Sequence, residues 1–412
     1  MSRLVTDKLK EWAFFALLFL VPIYYVVNMG DTRVAQERFF QLAGMVLASI
    51  FFGNIWLTLF FFLNVILFVV YGSSTGSAQV TNVFMTGLLF ACSRNFFRER
   101  SLNLRPLFIV TALSLIYCIF QFFRIDPIGA PISAAGVPDF NGNSGQLNGL
   151  FFHTAFHSVF LAMMLPAFIF SGIWVAAPLI PLILWLKCSG AILATAFTVP
   201  FIAYHTKRKL FLPVLVITAI LGVGGTYMDF KTDKLTYLSR FESWHMVVKF
   251  IMVRPWGWGP DSFRNKNNYK NFTFESDEDY NPLIVRRHPD RIEYVYHSAD
   301  PSKFKTRFDG RVPKNWAVWL EAHNEPLQFF FEYGIIGLLI IGFFIKEFFD
   351  RYVLSNKSRE VLILFAMIMA IFISGVTQFP FHLARLTGIF GILLGAYWAK
   401  TDKSYLTIKG ED

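Results

Sequence analysis

Polar and apolar chemistry meet abruptly in HNEPLQFFFEYGIIG, residues 323–337. Asn324 is a good helix N-cap, and Pro326 is tolerated within a first helical turn. His323 then stands just before the helix start. The helix dipole there disfavours an imidazolium and leaves a neutral ring able to accept a proton. The same helix start favours an anion such as a phosphate. Gly334 and Gly337 are expected to share one face of the continuing helix and to permit close helix packing. As plain structure, the same residues read as a capped helix with a polar flank and a packing seam.

Upstream lie several arginines. Arg240 falls in LTYLSRFESWHMVVKFIMV, residues 235–253, whose apolar spacing predicts an amphipathic helix at a membrane surface. Arg254 opens RPWGWGP, where Pro255, Gly257, Gly259 and Pro260 must break that helix. Arg286 and Arg287 follow in a stretch, 264–315, expected to be loop-rich. Each arginine has a bland alternative: snorkelling to lipid phosphates for Arg240, solvated loop charge for the others.

Most catalytic chemistries lack their residues here. There is no HExxH, no P-loop and no GxSxG, and His245, His288, His297 and His323 have no metal-ligand spacing. No metal and no cofactor is expected. Glu321, Glu325 and the acidic run 275–279 show no glycosidase arrangement. One chemistry needs little more than this inventory. A sugar carried on a polyprenyl pyrophosphate has a good leaving group that wants cations or helix N-termini to take up its charge. The attacking hydroxyl wants one general base, and the lipid tail wants membrane helices.

The rest of the chain supplies such helices. Of 412 residues, 55% are hydrophobic, 49 are Phe and only 16% are charged, more apolar surface than a soluble domain hides. The composition predicts an all-α polytopic membrane protein. Apolar segments of about 15 to 23 residues suit a ~30 Å hydrocarbon core. About twelve are counted, centred near residues 20, 44, 62, 86, 114, 160, 180, 197, 217, 337, 369 and 391. Alternate loops are basic: Arg94 to Arg105, Lys207 to Lys209, Lys346 to Arg359, and Lys400 to Lys409. The positive-inside rule then sets both termini in the cytoplasm. It divides the chain into a membrane bundle of about nine spans (1–226), a large outer loop (227–325), and three last spans with a tail (326–412). The net charge of +10 is accounted for by the basic loops, with no nucleic-acid partner; membrane lipids are the expected surroundings. Cys92, Cys118 and Cys188 lie in or beside apolar runs and read as buried thiols. His153 and His157, one turn apart, are candidates to line a groove or simply to pack helices.

These residues resemble a known family. The run 323–337 has the His-Asn, nine residues, Gly-x-x-Gly pattern of bacterial O-antigen ligases. SRFESWHMVVKFIMVRPWGWGPDSF, residues 239–263, resembles a segment that ligases share with O-antigen polymerases. KCSGAILATAF, 187–197, resembles a span start of the family, with Lys187 and Ser189 out of the usual order. The likeness covers roughly residues 148–400; the first third is similar in topology alone.

The resemblance implies a glycosyltransferase of the inner membrane, acting at the periplasmic face without metal and with inversion. The donor would be an undecaprenyl-pyrophosphate-linked glycan. The acceptor would be lipid A-core or, in a polymerase, a second lipid-linked glycan. It makes His323 the general base or a residue that orients the acceptor, and Arg240 a pyrophosphate ligand. A second loop arginine is implied upstream of the histidine, with Arg286, Arg287 and Arg254 as candidates. Asn324, Gly334 and Gly337 would support the site. Arg385 and His382, in QFPFHLAR, are expected on the same side, to close the site across the bundle or simply to anchor at the interface, and Lys187 is a further candidate. Sparse charge within the spans argues against a transporter. A protein O-glycan transferase stays open as a sister activity.

Overall fold

A computed structural model describes residues 55–71, 76–123, most of 147–263, the strands 284–287 and 292–295, and 323–409 apart from 379 and 383. The described chain is predominantly helical. In order come α1 (Ile55–Tyr71), α2 (Gly76–Phe97), α3 (Arg105–Phe122), α4 (Thr154–Ser171), α5 (Leu179–Trp185), α6 (Ser189–Thr206) and α7 (Phe211–Thr232). After the outer segment follow α8 (Glu325–Leu354), α9 (Arg359–Ser374) and α10 (Ala384–Lys409). The expected spans centred near 20 and 44 lie outside the described residues.

Among the described residues, four stretches are long and apolar enough to cross a membrane: Arg105–Phe122, Thr154–Ser171, Arg208–Tyr227 and Glu325–Leu354. Their surroundings agree. Leu212, Ile217, Ile220 and Val223 of α7 all point away from the protein. An apolar face of that kind is unfavourable in water and at ease in lipid. The chain is therefore a multi-pass membrane protein. The apolar run near 180 departs from expectation, because α5 has only 7 residues. At 1.5 Å per residue it falls far short of a bilayer.

The outer segment also departs from an all-α reading. Ile284–Arg287 (β1) and Ile292–Val295 (β2) form an antiparallel hairpin, with Arg286 in register with Glu293 and Arg287 with Ile292. Helix α7 runs to Thr232, five residues past the expected start of the outer segment at 227.

The core sits between α4, α9 and α10, where almost every side chain of α9 is buried. Aromatic stacking joins these helices to α8: Phe344 stacks on Trp398 at 5.3 Å and Phe348 on Phe365 at 5.1 Å between ring centroids. Helices α2 and α10 approach through glycines. A Cβ on Gly395 would lie 2.2 Å from the Phe90 carbonyl oxygen, and one on Gly391 would lie 2.6 Å from that of Thr86. Buried Ser93 donates its hydroxyl to the Ile392 carbonyl at 2.6 Å, which close packing alone makes reachable.

The basic loops meet at one end of the bundle. Buried Arg351 donates to Glu347 at 2.9 Å and to Asp402 at 2.8 Å, and the other Asp402 oxygen accepts from Arg94 at 2.9 Å. Lys400 pairs with Glu360 at 2.9 Å, and Glu360 also accepts the Leu102 N–H at 2.7 Å. Charges removed from water need such partners on every side. The loops separated in sequence by whole helices thus share one ionic layer. Two of the three cysteines, Cys118 and Cys188, are buried as expected, whereas Cys92 is exposed on α2.

The glycine crossing yields a test. Gly395→Ala forces backbone apart and is expected to cost about 1–3 kcal/mol, as overpacked sites do. Gly224→Ala on α7, where nothing lies within 4 Å, is the control and should be neutral or stabilising. Thermal midpoints of the two variants in detergent check the difference.

Candidate functional site

Asn324 caps α8 as its sequence position predicts. Its backbone is extended (φ −156, ψ 100) and its Oδ1 accepts the Leu327 N–H at 3.0 Å. His323, immediately before it, sits at φ 50, in the left-handed region that non-glycine residues seldom enter. Its ring is half-buried, with Nδ1 turned away from solvent. The histidine therefore stands at the mouth of a capped helix start, where backbone N–H groups and the dipole converge.

The residue after the cap does something the sequence did not announce. Glu325 is buried, its N–H donates to the Gly375 carbonyl at 2.8 Å, and its Oε1 accepts the Phe381 N–H at 2.6 Å. Both partners lie in the turn between α9 and α10. That turn holds the short 3₁₀ helix Pro380–His382, and Arg385 stands in the first turn of α10. The start of α6 packs onto the same turn. A Cβ on Gly190 would meet the Ser374 carbonyl at 2.8 Å, Ser374 donates its hydroxyl to the Gly190 carbonyl at 3.3 Å, and Ser189 donates to Thr377 at 3.4 Å. Lys187 precedes this start, exposed and at φ 50. Three chain segments remote in sequence, around 187–190, 323–325 and 374–385, are thereby gathered at one end of the bundle. It is the end opposite the ionic layer, since α8 and α10 each run from this cluster to that layer.

Gly334 departs from expectation. It does not sit in a continuous helix but breaks α8, at φ 63 and ψ −164. A break inside an apolar span frees backbone groups that must be satisfied. The segment opened by Arg254 satisfies them. Trp258 N–H donates to the Phe331 carbonyl, Gly259 N–H to the Glu332 carbonyl, and Ile335 N–H to the Pro255 carbonyl, each at 2.9 Å. The approach is so close that a Cβ on Gly334 would lie 2.2 Å from the Trp256 carbonyl carbon, and one on Gly257 would lie 2.6 Å from the Glu332 oxygen. Gly257 and Gly259 hold φ 93 and φ 102, open to glycine alone. Gly337 takes up the other consequence of the break, because a Cβ there would strike Tyr333.

Side chains seal this junction. Trp258 stacks on Phe331 at 6.1 Å, and Val247, Phe250, Ile251 and Phe263 pack around them. Val248, Met252 and Val253 face outward, so the end of the 235–253 segment has a buried face and an apolar outer one. This fits a helix resting on a membrane surface. Arg254 lies with its guanidinium carbon 4.9 Å from the Trp258 ring centroid, a cation–π contact that fixes its stem beside α8. Gln328 and Glu332, both fully buried, bond to each other at 3.2 Å on the turns between the cap and the break.

Beside the cluster lies a partly open apolar cavity, lined by Trp56, Phe60, Phe329, Phe344, Phe381 and Phe390 among others. It reaches from the Phe381 turn along α8 towards its middle.

The remaining expected residues are placed as follows. Arg240 lies outside the described residues, as does His153. Arg286 and Arg287 end β1; the hairpin backbone is described and their side chains are not. The side chains of His382 and Arg385 are likewise outside the described set. His157 lines no groove. It is fully buried, with Nε2 3.1 Å from Ser114 Oγ and Nδ1 3.4 Å from the Leu147 carbonyl, and it holds the turn Gly149–Phe151 against α3.

The residues missed from sequence are Glu325, Gly190 and Gly375. An acidic residue directly after an N-cap is a common helix-start signal, so Glu325 carried no mark beyond that. The chain matches no protein-family model and no curated protein. Fold and site together define a multi-pass helical membrane protein with a histidine-bearing helix start at the end of the bundle remote from its basic loops.

Gly334→Ala tests the junction. The left-handed φ and the contact with Trp256 together should destabilise by roughly 2–4 kcal/mol. Loss of the docked segment would appear as faster proteolysis between residues 233 and 263 in purified protein, with Gly342→Ala, where nothing lies within 4 Å, as the control.

Proposed function

We propose that the chain is a glycosyltransferase of the O-antigen ligase kind, moving a glycan from undecaprenyl pyrophosphate to a hydroxyl of lipid A-core. The observation that carries this reading is His323, held before a capped helix start at the bundle end opposite the basic loops. In this reading about twelve helices span a bacterial inner membrane, both termini are cytoplasmic, and the histidine end is periplasmic, in keeping with the positive-inside rule.

The reaction needs few groups. The acceptor hydroxyl oxygen attacks the anomeric carbon from the face opposite the leaving group, so configuration inverts. His323 takes the hydroxyl proton as the new C–O bond forms. The bond from the anomeric carbon to the pyrophosphate oxygen breaks, and both electrons leave with the pyrophosphate. Its growing charge would be met by the α8 start and by arginines of the outer segment, with Arg240, Arg254, Arg286 and Arg287 as candidates and Lys187, His382 and Arg385 at the rim. The apolar cavity beside Phe381 supports the reading, because a polyprenyl chain must lie in lipid-like surroundings while its head stands at the surface. No metal is required, since pyrophosphate leaves without a strong acid.

Deletion in the native host with gel analysis of lipopolysaccharide tests the reading. A ligase deletion leaves bare core with long polymer stranded on its carrier. A deletion that leaves core bearing one repeat makes the protein an O-antigen polymerase instead, and unchanged lipopolysaccharide would sink both. Within the site, His323→Ala should insert normally and transfer about 10²–10⁴-fold more slowly, the usual loss on removing a general base. Complementation at native rate by that variant would remove His323 from the chemistry.

A further inference from the structure

His323 occupies a left-handed backbone conformation, at φ 50, that non-glycine residues seldom enter. Such a conformation persists only where its surroundings dictate it. On its C-terminal side, two consecutive residues are fixed. Asn324 is bound to its own helix through Leu327 N–H. Glu325 is bound outside it, through its N–H to Gly375 and through its carboxylate oxygen to Phe381 N–H. The two outside anchors lie at either end of the 375–381 turn, so they restrain rotation as well as distance.

The turn has little freedom of its own. A Cβ on Gly375 would already sit 3.2 Å from Glu325 Cγ and 3.2 Å from the Phe372 carbonyl. Its other side rests on Gly190 at the start of α6. We infer that Glu325 is a positioning residue: it sets where His323 stands relative to the turn that carries His382 and leads to Arg385. This inference rests on the transfer reaction proposed above. Glu325 itself is buried, with Oε1 turned to the Phe381 amide. In this clamp the Phe381 N–H is taken by one accepting oxygen, a task that an amide oxygen performs equally well.

The experiment compares Glu325→Ala and Glu325→Gln in full-length protein purified in detergent. Two readouts are taken: glycan transfer from a lipid-linked donor, and amide hydrogen exchange in the peptide covering residues 380–382. The alanine variant should lose exchange protection at Phe381 and lower turnover about ten- to a hundred-fold, the scale of an ångström-sized misplacement, with KM for the donor unchanged. The glutamine variant should keep the amide protected and restore turnover to within about three-fold. Native turnover in the alanine variant overturns the inference. So does a glutamine variant that keeps the amide protected yet stays as slow as alanine, because the charge and not the clamp would then matter. If native protein transfers no glycan, the proposed function falls by itself. The clamp is then decided by exchange alone, and equal protection in all three proteins removes it.

Discussion

Backbone amides and carbonyls inside a lipid-facing helix have nowhere to turn but one another, and the break at Gly334 violates that economy in one place. The repair is an exchange of backbone hydrogen bonds with the segment 255–259, and much of the candidate site follows from it. Because the repair is made by main chain, both partners must be stripped of side chains where they touch, hence Gly257 and Gly334. Because it is local, the end of the outer segment is pinned to the same helix that carries His323. A helix that ran straight through would need no such partner and would leave the outer segment untethered.

The opposite end of α8 is governed by a different physics. There Arg351, Arg94 and Asp402 exclude water from a small ionic group, and geometry rather than the number of charges makes the arrangement tolerable. The two ends thus divide the labour of one helix. One end is closed and over-determined by paired charge. The other is built from turns, caps and glycines that leave polar groups near the surface. Helices α4 and α9 between them are almost wholly apolar and serve as the spacer that keeps the ends apart.

Much of this was legible in the sequence, and the exceptions have physical causes. The helices around 62, 114, 160, 217, 337, 369 and 391 follow from long apolar runs, a signal each segment carries by itself. Asn324 was legible because a cap depends on residues within one turn. Gly334 was misjudged because a glycine in an apolar run reads the same whether it seats a neighbour or breaks the helix; the partner that decides between them lies some 75 positions upstream. Glu325 was missed for the same reason, its carboxylate partner Phe381 being 56 positions away. The hairpin was within reach. Ile284 and Val285 before His288-Pro289-Asp290, and Ile292 to Val295 after it, form a turn flanked by strand-forming residues. Of the two readings open for His157, packing holds, because the turn at Gly149 covers it.

Asp402 also imposes an order on the making of the protein. It is translated 51 positions after Arg351 and 308 after Arg94. Until it arrives, both guanidiniums stand at the edge of a growing helical assembly without the carboxylate they will share. A ribosome that stalls before residue 402 therefore releases a chain whose charge is unbalanced where it is hardest to hide. The shared aspartate thus makes the charge balance of α2 and α8 depend on a residue of α10.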